Sequence, residues 1–169
     1  SSYNFNHGEL INGVTPVEGY NGSTSTGFKF NGSNQYIKVN NPHDVKLFGD
    51  LTISFWFNRK GINLLSKTVI SKSHYKEFEL EFNSSYILAL YNGTDAGSTN
   101  YYKYEMTNKI ASTYDSDKWY HIVVVREGVN KYWNVKFYLE GVLNTNAGNG
   151  TQVGSGNNVP QSSTNDIYI

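Results

Sequence analysis

Leu51 to Asn58 reads LTISFWFN, and its strict alternation decides the fold. Leu51, Ile53, Phe55 and Phe57 fall on one side of an extended chain, while Thr52, Ser54, Trp56 and Asn58 fall on the other. A period of two places successive side chains on opposite faces of a sheet, so this segment is a strand with one face turned to a core. The same reading extends to Glu77–Asn83 (EFELEFN), where Phe78, Leu80 and Phe82 oppose three glutamates. In Trp133–Glu140 (WNVKFYLE), Trp133, Val135, Phe137 and Leu139 point inward. Trp119–Arg126 (WYHIVVVR) is apolar on both faces over part of its length, which predicts a central strand.

Shorter strands are predicted at 27–30, 35–39, 69–72, 86–91, 102–107 and 166–169, joined by turn sequences such as Asn31-Gly32-Ser33-Asn34 and Glu140-Gly141. Asn41 to Leu47 has the N-cap asparagine and first-turn proline of a short helix. The Gly-, Asn- and Ser-rich segment 144–165 reads as one long exposed loop. Many short strands at this spacing predict an all-β, antiparallel two-sheet sandwich in a single domain.

Composition agrees. Of 169 residues, 14 are Tyr, 9 Phe and 3 Trp, so the core is built from rings more than from aliphatic side chains. The remainder is polar but uncharged, with 22 Asn, 17 Ser, 12 Thr and 16 Gly, a mixture suited to strands and turns. Fourteen basic and fourteen acidic side chains cancel, and no basic run exists, which argues against nucleic-acid binding. No apolar stretch reaches the length of a membrane span. With no cysteine, a disulfide framework and thiolate metal sites are excluded.

Seven segments in order resemble the laminin-G-like branch of the concanavalin A-like lectin and glucanase superfamily. They are His7–Gly13, Gly27–Gly32 leading to Gln35–Val39, Leu51–Phe57, Ile70–Lys72, Lys118–Val125, Val135–Gly141 and Asp166–Ile169. The resemblance implies a concanavalin A-like jelly-roll sandwich, and it speaks for the fold more than for the function. Two elements of the family pattern, a strand ahead of His7–Gly13 and one after Asp166–Ile169, have no counterpart. Since the chain also starts at Ser1 without Met, it is expected to be an excerpt of a longer protein, or to receive those strands from a partner.

Glu77-x-Glu79-x-Glu81 is the sharpest catalytic signal, because the superfamily's retaining glucanases carry E-x-D-x-E on one strand. The resemblance offers Glu77 and Glu81 as nucleophile and acid/base. Here the middle residue is glutamate, and the residues themselves read as a solvated strand face balanced by Lys76. The four histidines, at 7, 43, 74 and 121, have no zinc-ligand spacing, and no nucleophile elbow accompanies them.

Calcium is the cofactor the resemblance suggests, with Asp50, Asp115 and Asp117 as ligand candidates and turn-forming aspartates as the alternative. Sugar binding needs a ring to stack on a pyranose and amides or carboxylates for its hydroxyls. Tyr91, Asn92, Asp95, Asn100, Tyr101 and Tyr102 are dense in such groups, with Tyr75 and Tyr132 in support. Alternation sends one of Tyr101 and Tyr102 outward, whereas Trp56 and Trp133 are read as rings that cap the core. The expectation is therefore a non-catalytic carbohydrate-binding module that attaches a larger extracellular, cell-surface or phage-tail (virion) protein to polysaccharide. Alternatives are a structural or protein-interaction domain and a glycoside hydrolase using Glu77 and Glu81.

Overall fold

A computed structural model describes residues 7–40, 47, 49–59, 66–73, 77–83, 88–93, 100–106, 118–129, 132–144, 151–154, 160 and 163–169. Among these, the strands in chain order are β1 (Gly8–Ile11), β2 (Thr15–Val17), β3 (Gly27–Lys29), β4 (Tyr36–Val39), β5 (Leu51–Asn58), β6 (Lys67–Lys72) and β7 (Phe78–Phe82). There follow β8 (Leu88–Gly93), β9 (Tyr101–Glu105), β10 (Trp119–Val129), β11 (Tyr132–Leu139), β12 (Val142–Leu143), β13 (Thr151–Val153) and β14 (Ile167–Tyr168). They form an eight-stranded sheet in the order β1-β4-β14-β6-β7-β8-β9-β13, a four-stranded sheet β12-β11-β10-β5, and a ribbon of β2 and β3. Every pairing is antiparallel, as the alternating sequences require.

The two larger sheets bury their apolar faces against each other. Phe78, Leu80 and Phe82 of β7, Leu88 and Leu90 of β8 and Tyr104 of β9 meet Ile122 and Val124 of β10 and Val135 and Phe137 of β11. Leu51, Ile53, Phe55 and Phe57 pack onto this cluster from β5, which lies at the edge of the smaller sheet and stays partly open. Strand β10 is central, between β5 and β11, as its apolar character on both faces predicts. Because Phe137 is fully buried, truncating it to alanine would cost about 3–5 kcal/mol.

At one end the interior becomes polar. Arg126 continues the inward row of Ile122 and Val124 and is only 1 % exposed. Its guanidinium donates to the carbonyls of Leu47 (2.5 Å), Gly49 (2.7 and 3.0 Å) and Glu77 (3.1 Å), pinning two connecting segments to β10. Burial pulls its pKa down to about 10, opposed by the nearby Tyr104, Asp50 and Glu77.

Sequence and structure part in three places. The segment read as one long loop contains β13, which pairs with β9 through Thr151↔Lys103 and Val153↔Tyr101. A three-residue strand amid glycine and asparagine carries too little alternation to be seen. β2 also escapes the pattern, being three residues that include a proline. The glutamate face expected to be solvated is not: Glu77 and Glu79 are buried. The helix predicted at 41–47 falls outside the described residues except for Leu47.

Candidate functional site

The three glutamates of β7 and its approach have separate surroundings. Glu77 precedes the strand, and its carboxylate meets Lys72 Nζ at 2.9 Å, with both side chains almost wholly enclosed. Its other oxygen accepts the Ser163 N–H at 3.0 Å, and its carbonyl accepts Arg126. Glu79 accepts the Thr68 hydroxyl at 2.9 Å and is 3 % exposed. Glu81 is half-buried and shares the outward side of β7 with Glu79. Two carboxylates acting on one glycosidic bond must both face a substrate, and Glu77 is instead committed to an interior ion pair.

A different surface is open. Trp56 points away from the core on β5 and is 39 % exposed, so the reading of its ring as a core cap is corrected. Across the ladder stands His121 on β10, its ring 4.9 Å from the indole. On the indole's other side lies Tyr20, 3.9 Å away with planes 2° apart. The three rings form a column running across the strands, and Tyr20 occupies the side of β5 away from β10. Each stacked pair contributes about 0.5–1.5 kcal/mol beyond area burial. His121 is fixed further: its Nε2 lies 2.9 Å from Ser54 Oγ, and its backbone N–H donates to the Glu140 carboxylate. Glu140 and Gly141 both have positive φ, which forms the tight turn between β11 and β12 that aims that carboxylate.

Tyr20 is carried by the loop joining β2 to β3. It occupies the second position of a turn closed by the Gly22 N–H donating to the Gly19 carbonyl at 3.1 Å. The Gly19 N–H also donates to Thr26 Oγ1 at 3.2 Å, and the Thr26 hydroxyl to the Ser23 carbonyl at 2.8 Å. The loop's neck needs glycine, since a Cβ on Gly19 would sit 2.5 Å from Thr26 Oγ1. The ring is thus held by backbone and side-chain bonds while remaining 54 % exposed.

The residues singled out for sugar binding are dispersed. Asn92 shares the inward face of β8 with Leu90 and is wholly buried beside Tyr104, so it offers no amide to a surface ligand. Tyr91 is 4 % exposed and meets Tyr101 edge-on at 5.6 Å. Tyr101 faces outward and Tyr102 inward, stacked on Tyr104 at 6.3 Å, and both remain half-buried. Asn100 is half-buried at the start of β9. Tyr132 opens β11, but its side chain, like Tyr75, Asp95, Asp115 and Asp117, lies outside the described residues. Asp50 accepts the Gly128 N–H at 3.1 Å, and among the described residues it joins no group of three or more metal-ligating side chains. The described residues therefore do not by themselves make a cation site.

Tyr20, Trp56 and His121 were missed as site residues, although the sequence carries a signal for the first two. The alternation of β5 already turns Trp56 outward, and a tyrosine inside Gly19-Tyr20-Asn21-Gly22 is a large ring placed at a turn. What no pattern shows is that these rings meet.

An antiparallel two-sheet sandwich of this kind defines the concanavalin A-like jelly-roll class. Residues 31–168 match the laminin-G-type family described as concanavalin A-like lectin/glucanases superfamily, and the chain belongs to that superfamily. Members of this class often bind carbohydrate or mediate protein interaction. The β2–β3 loop with Tyr20 precedes the matched region. No curated protein sequence matches the chain. Among the described residues no helix is long and apolar enough to cross a membrane.

Proposed function

We propose that this domain is a non-catalytic carbohydrate-recognition module that attaches a larger extracellular, cell-surface or virion assembly, such as a phage tail, to polysaccharide. The observation that carries the reading is the Tyr20–Trp56–His121 column: the exposed rings of Tyr20 and Trp56, braced on a sheet, beside hydroxyl and carboxylate groups. Pyranoses present an apolar face of C–H groups to such rings, and their hydroxyls pair with neighbouring polar groups. The commitment of Glu77 to Lys72 supports the non-catalytic half of the proposal.

A glycan array followed by calorimetry tests it. The domain is expected to bind at least one polysaccharide, and Trp56→Ala, which removes the ring that backs Tyr20, is expected to weaken that binding about tenfold. Binding that Trp56→Ala leaves untouched would overturn the role of the column. Release of reducing ends from any bound polysaccharide would overturn the non-catalytic reading. A calcium requirement through Asp115 and Asp117 belongs to the same proposal, and a chelator arm in the array tests it.

The second reading, a protein-interaction or structural domain, is favoured by one feature. β5 is an eight-residue strand without charge or proline that, among the described residues, forms the edge of the smaller sheet, and such edges accept a further strand. A stable protein partner without any glycan ligand would decide for it.

A further inference from the structure

The column ends in a ring with one free face, and the loop holding that ring carries polar groups that the fold does not use. Among the described residues, Tyr20 is stacked on one side only, by Trp56. Next to it, Asn21 Oδ1 accepts the Ser23 N–H at 3.1 Å and the Thr26 hydroxyl at 3.4 Å, which fixes the amide and leaves its Nδ2 donors over. Glu18 is exposed, and its Oε1 lies 3.9 Å from where a Cβ on Gly22 would stand, so the carboxylate folds back along the turn. Among the described residues, neither the Glu18 carboxylate nor Asn21 Nδ2 has a hydrogen-bond or ion-pair partner.

These groups are complementary to one kind of ligand. A flat ring accepts the C–H face of a pyranose. An unpaired carboxylate accepts two hydroxyl donors, and charge-assisted bonds of this kind are about twice as strong as neutral ones. An amide donor completes the pairing with a hydroxyl oxygen. The same carboxylate repels a uronate or sulfate, because a like charge brought close without a counter-ion is disfavoured. Specificity for charge therefore follows from Glu18, and stacking from Tyr20.

We infer that Glu18, Tyr20 and Asn21 form a monosaccharide subsite on the β2–β3 loop that takes neutral pyranose units and rejects acidic ones. The inference rests on the carbohydrate reading and assigns it a contact set outside the family-matched region. All three residues are exposed, and the loop is closed by bonds to Ser23 and Thr26, so substitutions at 18, 20 and 21 leave the two packed sheets intact.

The test uses the full chain against immobilised neutral glucan, galactan and mannan and against polygalacturonate and a sulfated galactan. The expected result is binding to a neutral polymer and to neither acidic one. Tyr20→Ala should lower that binding at least tenfold while lowering the melting temperature by no more than about 4 °C, the worth of the lost Tyr20–Trp56 stack, and Glu18→Gln should lower binding several-fold. Glu18→Lys should bring measurable binding to polygalacturonate. Wild-type binding that Trp56→Ala removes but Tyr20→Ala and Glu18→Gln do not would overturn this subsite while leaving the carbohydrate reading in place. A wild-type preference for the acidic polymers would overturn the charge assignment. Failure of the wild type to bind any of the polymers would remove both.

Discussion

Glu77→Gln distinguishes a structural glutamate from a catalytic one. In the folded chain the Glu77 carboxylate is 2.9 Å from Lys72 Nζ, with side-chain exposures of 0 % and 2 %. Glutamine keeps the shape and an oxygen for the Ser163 N–H, but it removes the negative charge that faces the buried ammonium at 2.9 Å. Breaking a buried pair from one side costs about 3–5 kcal/mol, a large part of the 5–15 kcal/mol typical of a domain. Unfolding entropy near 2.1 cal/mol/K per residue gives about 0.35 kcal/mol/K for 169 residues, so 4 kcal/mol lowers the melting temperature by about 11 °C. Removing both charges in Glu77→Leu/Lys72→Met should recover most of that loss, because the pair's own desolvation disappears with it. Differential scanning calorimetry of the wild type, the single and the double variant measures this directly. A single-variant shift under about 3 °C, equivalent to about 1 kcal/mol, would mean that Lys72 does not depend on Glu77, and the structural assignment would fall.

Two further outcomes follow from the polar end of the core. Arg126→Lys should destabilise by about 2–4 kcal/mol in denaturant titration, since one ammonium cannot bridge the carbonyls of Leu47, Gly49 and Glu77 that the guanidinium holds together. Burial raises the Tyr104 pKa well above its ordinary value, with Arg126 opposing; Asn92 lies near the phenol, though the two are not aligned as a hydrogen bond. Because the unfolded phenol ionises near pH 10 and the folded one keeps its proton, Tyr104 takes stability away as pH rises past 10. Tyr104→Phe should flatten that alkaline loss, and ultraviolet titration should show one fewer late-ionising tyrosine.

Most of the framework was legible because it depends on alternation. β5, β7, β10 and β11 each extend over five or more residues, long enough for period two to separate a core face from an outer one. β2 and β13 span three residues each, and their pairing is decided by register with a distant strand rather than by local pattern. The Glu77-x-Glu79-x-Glu81 run misled for a related reason. Alternation shows which residues share a side of a strand, not whether that side reaches water, and Glu77 lies before the strand where its side chain is free to turn toward Lys72. The candidate site was the least legible part. Asn92 belongs to a turn-like Asn-Gly-Thr sequence that extends a strand into the interior instead. Tyr20 and Trp56 are thirty-six positions apart in sequence, and nothing local brings them together.

The polar side chains divide by whether folding has already satisfied them. Glu77 and Arg126 are held by opposite charge or by backbone groups at the end of the core, and Glu79 by Thr68, so a surface ligand would have to displace bonds that the domain needs. The Glu18–Thr26 loop is built the other way. Its internal bonds run from Gly19, Gly22, Ser23 and Thr26 to backbone carbonyls, to the Thr26 hydroxyl and to Asn21 Oδ1, and these define the loop's shape. The ring of Tyr20, the carboxylate of Glu18 and the amino group of Asn21 remain outside that network. Ordering such groups on a ligand forfeits little conformational entropy, because the backbone that carries them is already fixed. The position of the loop beside the open edge of β5 then has a physical consequence. A ligand stacked on Tyr20 lies in line with the column across β5 and β10, so contact at the loop bears on those two strands and not on the loop alone.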